Sequence, residues 1–145
     1  MQFQRINRED AEKVFSIFYN VSGATITAGY PACWDTATAD GVRVTKPATA
    51  NLSLVVGLAT DSIADSAYGK FQVYGYKASG WVINATAQTL AAGDILIPVN
   101  AQWYLNFSAA SDGKSGFLVA GESYASVTQT TLSAAANKKV FIRCL

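Results

Sequence analysis

The side chains able to carry chemistry are ten carboxylates, eleven basic groups, two cysteines and many hydroxyls; none of the 145 residues is histidine. The commonest general base at neutral pH is therefore missing, and with it the usual triads and the imidazole ligands of most zinc enzymes. Serine is plentiful, but no Gly-x-Ser-x-Gly turn presents one as a nucleophile. A carboxylate pair about 5–9.5 Å apart would suit glycoside hydrolysis. The candidates Asp61, Asp65, Asp94, Asp112 and Glu122 mostly stand beside Gly or Ser, in turn contexts where Asp bonds its own backbone. Thr60-Asp61-Ser62 with Asp65, and the stretch from Asp35 to Asp40, are thin versions of a calcium loop, which needs several oxygen ligands in a tight run. Asp112-Gly-Lys-Ser has the tail of a phosphate loop without its preceding glycine spacing or its following helix. The expectation is a chain with no catalytic residue, no cofactor and no metal. Cys33 and Cys144 form neither a Cys-x-x-Cys nor a metal spacing. They admit one mutual disulfide or two half-buried thiols, and the second is the simpler reading.

What must hold these side chains is one small domain. Hydrophobic residues make up 50% of the chain and charged residues 14%, where about 25% charged is usual. So few charges leave Ala, Ser, Thr, Gly and aromatic rings to cover the surface, which guards poorly against association. A self-associating protein is expected. The net charge of +1 provides no field for DNA or a membrane, and neither is expected as a partner. The first ten residues lack the apolar stretch of a secretory signal, and no run reaches a membrane span. The expectation is synthesis and folding in a cytoplasm.

Residues 1–13 differ from the rest, carrying Arg5, Arg8, Glu9, Asp10, Glu12 and Lys13. They read as an extended N-terminal arm before a β-domain over 14–145. Helical spacing of Ala11, Val14, Phe15 and Phe18 competes with alternation of Phe15, Ile17, Tyr19 and Val21; aromatic and β-branched content favours a strand. From there strands alternate with turn signals. They include Leu52–Thr60, Lys70–Tyr76, a Lys77-Ala-Ser-Gly80 turn into Trp81–Asn84, Ile95–Val99, Gln102–Ser108, Phe117–Tyr124 and Lys139–Leu145. The fold class is all-β: a single antiparallel β-sandwich or barrel, jelly-roll or β-tulip-like. Leu54, Val56, Phe71, Val73, Trp81, Ile95, Phe117, Leu118, Val140 and Ile142 are the predicted core. Tyr74, Tyr76 and Phe141 point away from it, as residues of a subunit contact.

Several motifs together resemble one family. They are Asn20-Val-Ser-Gly-Ala-Thr-Ile-Thr-Ala-Gly-Tyr-Pro31 with Cys33-Trp-Asp35, then Val56-Gly-Leu-Ala59 and Tyr68-Gly-Lys-Phe-Gln-Val-Tyr-Gly-Tyr76. Ala91-Ala-Gly-Asp-Ile-Leu96 and the closing Lys139-Val-Phe-Ile-Arg-Cys-Leu145 follow. In this order they resemble the head decoration proteins, also called cement or minor capsid proteins, of tailed bacteriophages. The resemblance implies a non-enzymatic β-rich protein on the outer surface of a virion. There it would bridge subunits of the major capsid protein and stabilise the shell, often as a trimer. The arm precedes the resembling region. Its Phe3 and Ile6 are expected to anchor on the capsid, with Arg5 and Arg8 pairing with capsid carboxylates. The rival reading is a carbohydrate-binding module with Trp34, Trp81 or Trp103 as a stacking plate beside Asp or Asn.

Overall fold

A computed structural model describes residues 12–83, 89–107, 117–123 and 136–144. The alternating and β-branched segments form nine strands among them, and no helix. These are β1 (Val14–Asn20), β2 (Pro31–Trp34), β3 (Arg43–Thr45), β4 (Val55–Ala59), β5 (Tyr68–Ile83), β6 (Ile95–Pro98), β7 (Leu105–Phe107), β8 (Leu118–Ala120) and β9 (Ala136–Arg143). Pairing runs β1-β3-β2-β4-β5, and β5 returns to β1, so five strands close a barrel. The remaining strands continue β5-β7-β6-β8-β9, and β9 also pairs with β5. Every strand therefore has a neighbour on each side.

Each circuit surrounds its own apolar cluster. Phe18, Ile26, Val44, Val56, Phe71 and Val73 fill the first barrel. Leu96, Leu105, Leu118, Val140 and Ile142 form the second cluster with Val82. Cys33, Val55 and Leu58 join that second cluster although they sit on β2 and β4. Those two strands thus have both faces covered, which is why all five residues of β4 are buried. A strand buried on both faces reads as a continuous apolar run.

β5 is 16 residues long because one strand serves both circuits. Its bend is built from glycine and irregular register. Gly75 has φ 96°, and a Cβ there would collide with the Glu12 carbonyl. On the neighbouring strand β4, Gly57 likewise leaves room for the Gln72 carbonyl, which a Cβ there would strike. The buried Gln72 amide donates to the carbonyls of Tyr74 (3.2 Å) and Tyr76 (3.0 Å), satisfying polar groups within the bend. Asn20 does similar work at the end of β1. Its Nδ2 reaches the carbonyls of Ala24 (2.8 Å) and Ala64 (3.0 Å), and its Oδ1 accepts from the Ser22 amide (2.9 Å).

The all-β class, the strand reading of β1 and the burial of Val56, Phe71, Val73, Leu118, Val140 and Ile142 agree with the sequence reading. Other expectations are corrected. The sheet is mixed, since β1–β3 and β5–β7 pair in parallel. Lys77 to Gly80 is no turn: β5 runs through it with a bulge, pairing with β9 on both sides. Leu54 is 40% exposed, because its backbone is tied to Asn51 and Trp34 while its side chain faces out. Phe117, just before β8, is 37% exposed. Trp81 and Ile95 are only half-buried; the Trp81 indole donates to the Ala28 carbonyl (3.1 Å) at the surface.

Ile142→Ala should cost about 2–5 kcal/mol in chemical denaturation, as truncation of a fully buried aliphatic side chain does. Leu54→Ala should stay within about 0.5 kcal/mol, the level of surface changes. Equal losses for the two would contradict this assignment of inside and outside.

Candidate functional site

Strand β1 turns its faces opposite to a simple hydrophobic alternation. Phe18 and Asn20 point into the barrel, whereas Phe15 and Ile17 are 45% and 65% exposed. On β5 the cross-strand partners are Gln72 for Phe15, Lys70 for Ile17 and Tyr68 for Tyr19. Tyr68 is 66% exposed and packs on Tyr19 at 4.9 Å between ring centroids. Lys70 lays its ammonium over the Phe15 ring at 5.2 Å. Val42, 39% exposed, follows beside Tyr19 through the hydrogen bond from the Tyr19 amide to its carbonyl (2.9 Å). The outer wall of the first barrel is thus an apolar stripe with one cation. It ends at a cleft of about 440 Å³ lined by Tyr19, Asp40, Val42, Arg43 and Tyr68. Exposed apolar surface of this kind is a candidate contact site.

The predicted contact residues divide into two groups. Phe3, Arg5, Ile6 and Arg8 lie outside the described residues. Tyr74, Tyr76 and Phe141 are together on β5 and β9 and half-buried: Tyr76 stands opposite Phe141, and Tyr74 meets it edge to face at 5.7 Å. Sequence reasoning missed the wall formed by Phe15, Ile17, Tyr19 and Tyr68. The signal was the alternation in β1, but its apolar set is the outward one.

The second cleft, about 450 Å³, lies on the other side of the loop from Asp35 to Val42 and is lined by Trp34, Asp35, Thr36, Ala39, Gly41 and Leu54. Of the three tryptophans only Trp34 lines it. Trp103 is buried and stacks on Tyr30 (5.4 Å, 14°), with Lys46 over its ring, so its face is already used. Trp81 packs on the same Tyr30. Asp40 anchors the loop: its Oδ1 accepts from the amides of Val42 (2.9 Å) and Arg43 (3.0 Å), and its Oδ2 pairs with Arg43 Nε (3.0 Å). The Val42 amide is the main reason its carboxyl lies below the usual range, with the Arg43 amide and charge adding to it.

Neither cysteine is in a disulfide. Burial pushes both thiols up to about 12, which leaves them protonated and poor nucleophiles. Among the described residues no three metal-ligating side chains come together. No protein-family model and no curated protein matches the chain.

Two outcomes follow for the thiols. Cys33, which is fully buried, should resist a thiol reagent at pH 8 in the folded protein and react promptly once it is denatured, with half-buried Cys144 the more accessible of the two; fast labelling of Cys33 in the native chain would refute its burial. The unfolded chain releases these protons near 9.0 and the folded one near 12, so folding stability falls as pH rises through that window. The fall should be shallower in Cys144→Ala, as read from denaturation midpoints.

Proposed function

We propose that this chain is a structural, non-catalytic head decoration protein of a tailed bacteriophage. It binds the outer surface of the capsid, bridges major-capsid subunits and stabilises the shell. The observation that carries this reading is the apolar outer wall of Phe15, Ile17, Tyr19 and Tyr68 on a rigid closed barrel. Interfaces are enriched in aromatic side chains at their cores. Burying Phe15, Ile17 and Tyr68 against a partner would contribute up to about 1.5–3 kcal/mol for each fully covered side chain. The order of motifs, which resembles that of decoration proteins, supports the same reading, and so does the low charge of the chain.

The arm over 1–13 adds a second contact in this proposal. Phe3 and Ile6 supply apolar anchoring, and Arg5 and Arg8 gain from capsid carboxylates where the shell shields them from water. The half-buried patch of Tyr74, Tyr76 and Phe141 is assigned to contact between copies in a trimer, with the virion surface as the site of action. Many equivalent contacts over a shell then accumulate into tight retention.

Ile17→Lys with Tyr68→Lys should leave thermal unfolding nearly unchanged, as surface substitutions do. Its occupancy on expanded, undecorated heads should drop at least tenfold, counted by cryo-electron microscopy. Heads carrying the wild-type protein should rupture at a higher temperature than bare heads. Full occupancy by the double variant would remove the wall from the contact, and equal rupture temperatures would end the stabilising role.

A further inference from the structure

We propose that the cleft between Trp34 and Leu54 binds a pyranose sugar, with the Trp34 indole under its apolar C–H face and the Asp35 carboxylate accepting its hydroxyls. The volume of about 450 Å³ falls within the range of small-molecule sites, about 300–1,000 Å³. It exceeds what a single amino-acid side chain fills. The lining joins an indole, an exposed leucine, one carboxylate and a threonine hydroxyl. That mixture matches a ligand with one apolar face and a rim of hydroxyl donors.

The cleft is held in shape before any ligand arrives. The Trp34 amide donates to the Leu54 carbonyl (3.0 Å), which fixes the two walls relative to each other. The buried Asn51 donates from Nδ2 to the Trp34 carbonyl (3.0 Å) and accepts from the Ala48 amide through Oδ1 (2.7 Å). Phe18 supports the indole from the barrel interior in a T-shaped contact at 5.0 Å. On the opposite side, the Asp35 amide donates to the Arg43 carbonyl (3.1 Å) and the Asp40 amide to the Thr38 carbonyl (2.9 Å). A site held this way loses little conformational freedom on binding.

Charge narrows the ligand class. Asp35 Oδ1 accepts from the Ala37 amide (3.0 Å), while Oδ2 takes no hydrogen bond from the described residues. Oδ2 is therefore the acceptor offered to a hydroxyl. Asp40 is already engaged by Arg43 and two amides, so the cleft presents a single carboxylate. One exposed carboxylate holds a cation weakly in water and repels an anion. A neutral polyol meets neither obstacle.

The test is a titration of the full chain, followed by NMR at the Trp34 indole N–H and the Leu54 methyl groups. The probes are the methyl pyranosides of glucose, galactose, mannose and N-acetylglucosamine, together with maltose, cellobiose and lactose. At least one probe should give saturable shifts at both positions. Asp35→Asn keeps the Oδ1 acceptor for Ala37 and should retain the wild-type melting temperature while weakening that probe at least tenfold. Leu54→Glu should weaken it as well. Silence of every probe at its solubility limit would overturn the proposal; so would shifts confined to the Tyr19–Tyr68 cleft, or binding untouched by Asp35→Asn. The cleft shares no lining residue with the outer wall, so neither result bears on capsid binding.

Discussion

The backbone hydrogen bonds of β5 are divided between two circuits, and neither circuit closes without them. Its first part pairs with β1 and β4, its second with β9 and β7. Two apolar clusters with separate sets of strands would leave more surface uncovered in a small chain, because small domains bury a limited share of their surface. Sharing one strand, and packing Cys33, Val55 and Leu58 of the first wall into the second cluster, resolves that constraint. The cost falls on the bend, where Gly75 takes a left-handed φ and the Gln72 side chain satisfies two carbonyls. A side chain at Gly75 would collide with the Glu12 carbonyl, so the segment leading into β1 also depends on this glycine.

The same closure explains why the candidate surfaces lie where they do. With β2 and β4 covered on both faces, the first barrel meets solvent mainly along β1 and the start of β5. Phe15, Ile17 and Tyr68 are held there by a wall that cannot fold over them. Asn20, bonded on all sides at the end of β1, fixes which residues of that strand face inward. The loop from Asp35 to Val42 is pinned by Asp40 between two clefts, one bordered by the tyrosines and the other by Trp34.

Much of the strand content was legible because β-branched and aromatic residues alternate cleanly around Phe71 and Val140. β1 resisted the same logic. Ser16 and Asn20 look like solvent positions, yet Asn20 is fully buried and supplied with partners that come from residues distant in sequence. Ala78-Ser-Gly80 carries a turn composition, but inside a long paired strand the extra residues become a bulge. The parallel pairings leave no local mark, since they join strands that no hairpin connects. Of the candidate clefts, the sequence offered Trp34, Trp81 and Trp103 alike as stacking plates, and only the fold shows that Trp34 alone among them borders a cleft with Asp35. The Tyr19–Tyr68 cleft needed the register of β1 against β5.

The shortness of open edge among the nine described strands limits how another chain could add to them. An unpaired strand recruits other chains through its amides and carbonyls, with little regard for sequence, and leads toward cross-β stacking. Here each described strand has a neighbour on each side over part of its length, although β1 meets β3 only at Tyr19 and Asn20. A neighbouring molecule would therefore be met chiefly through side chains and shape. Exposed rings and mostly paired backbone can then coexist on one surface, so that a contact made there would depend on geometry and could be reversed.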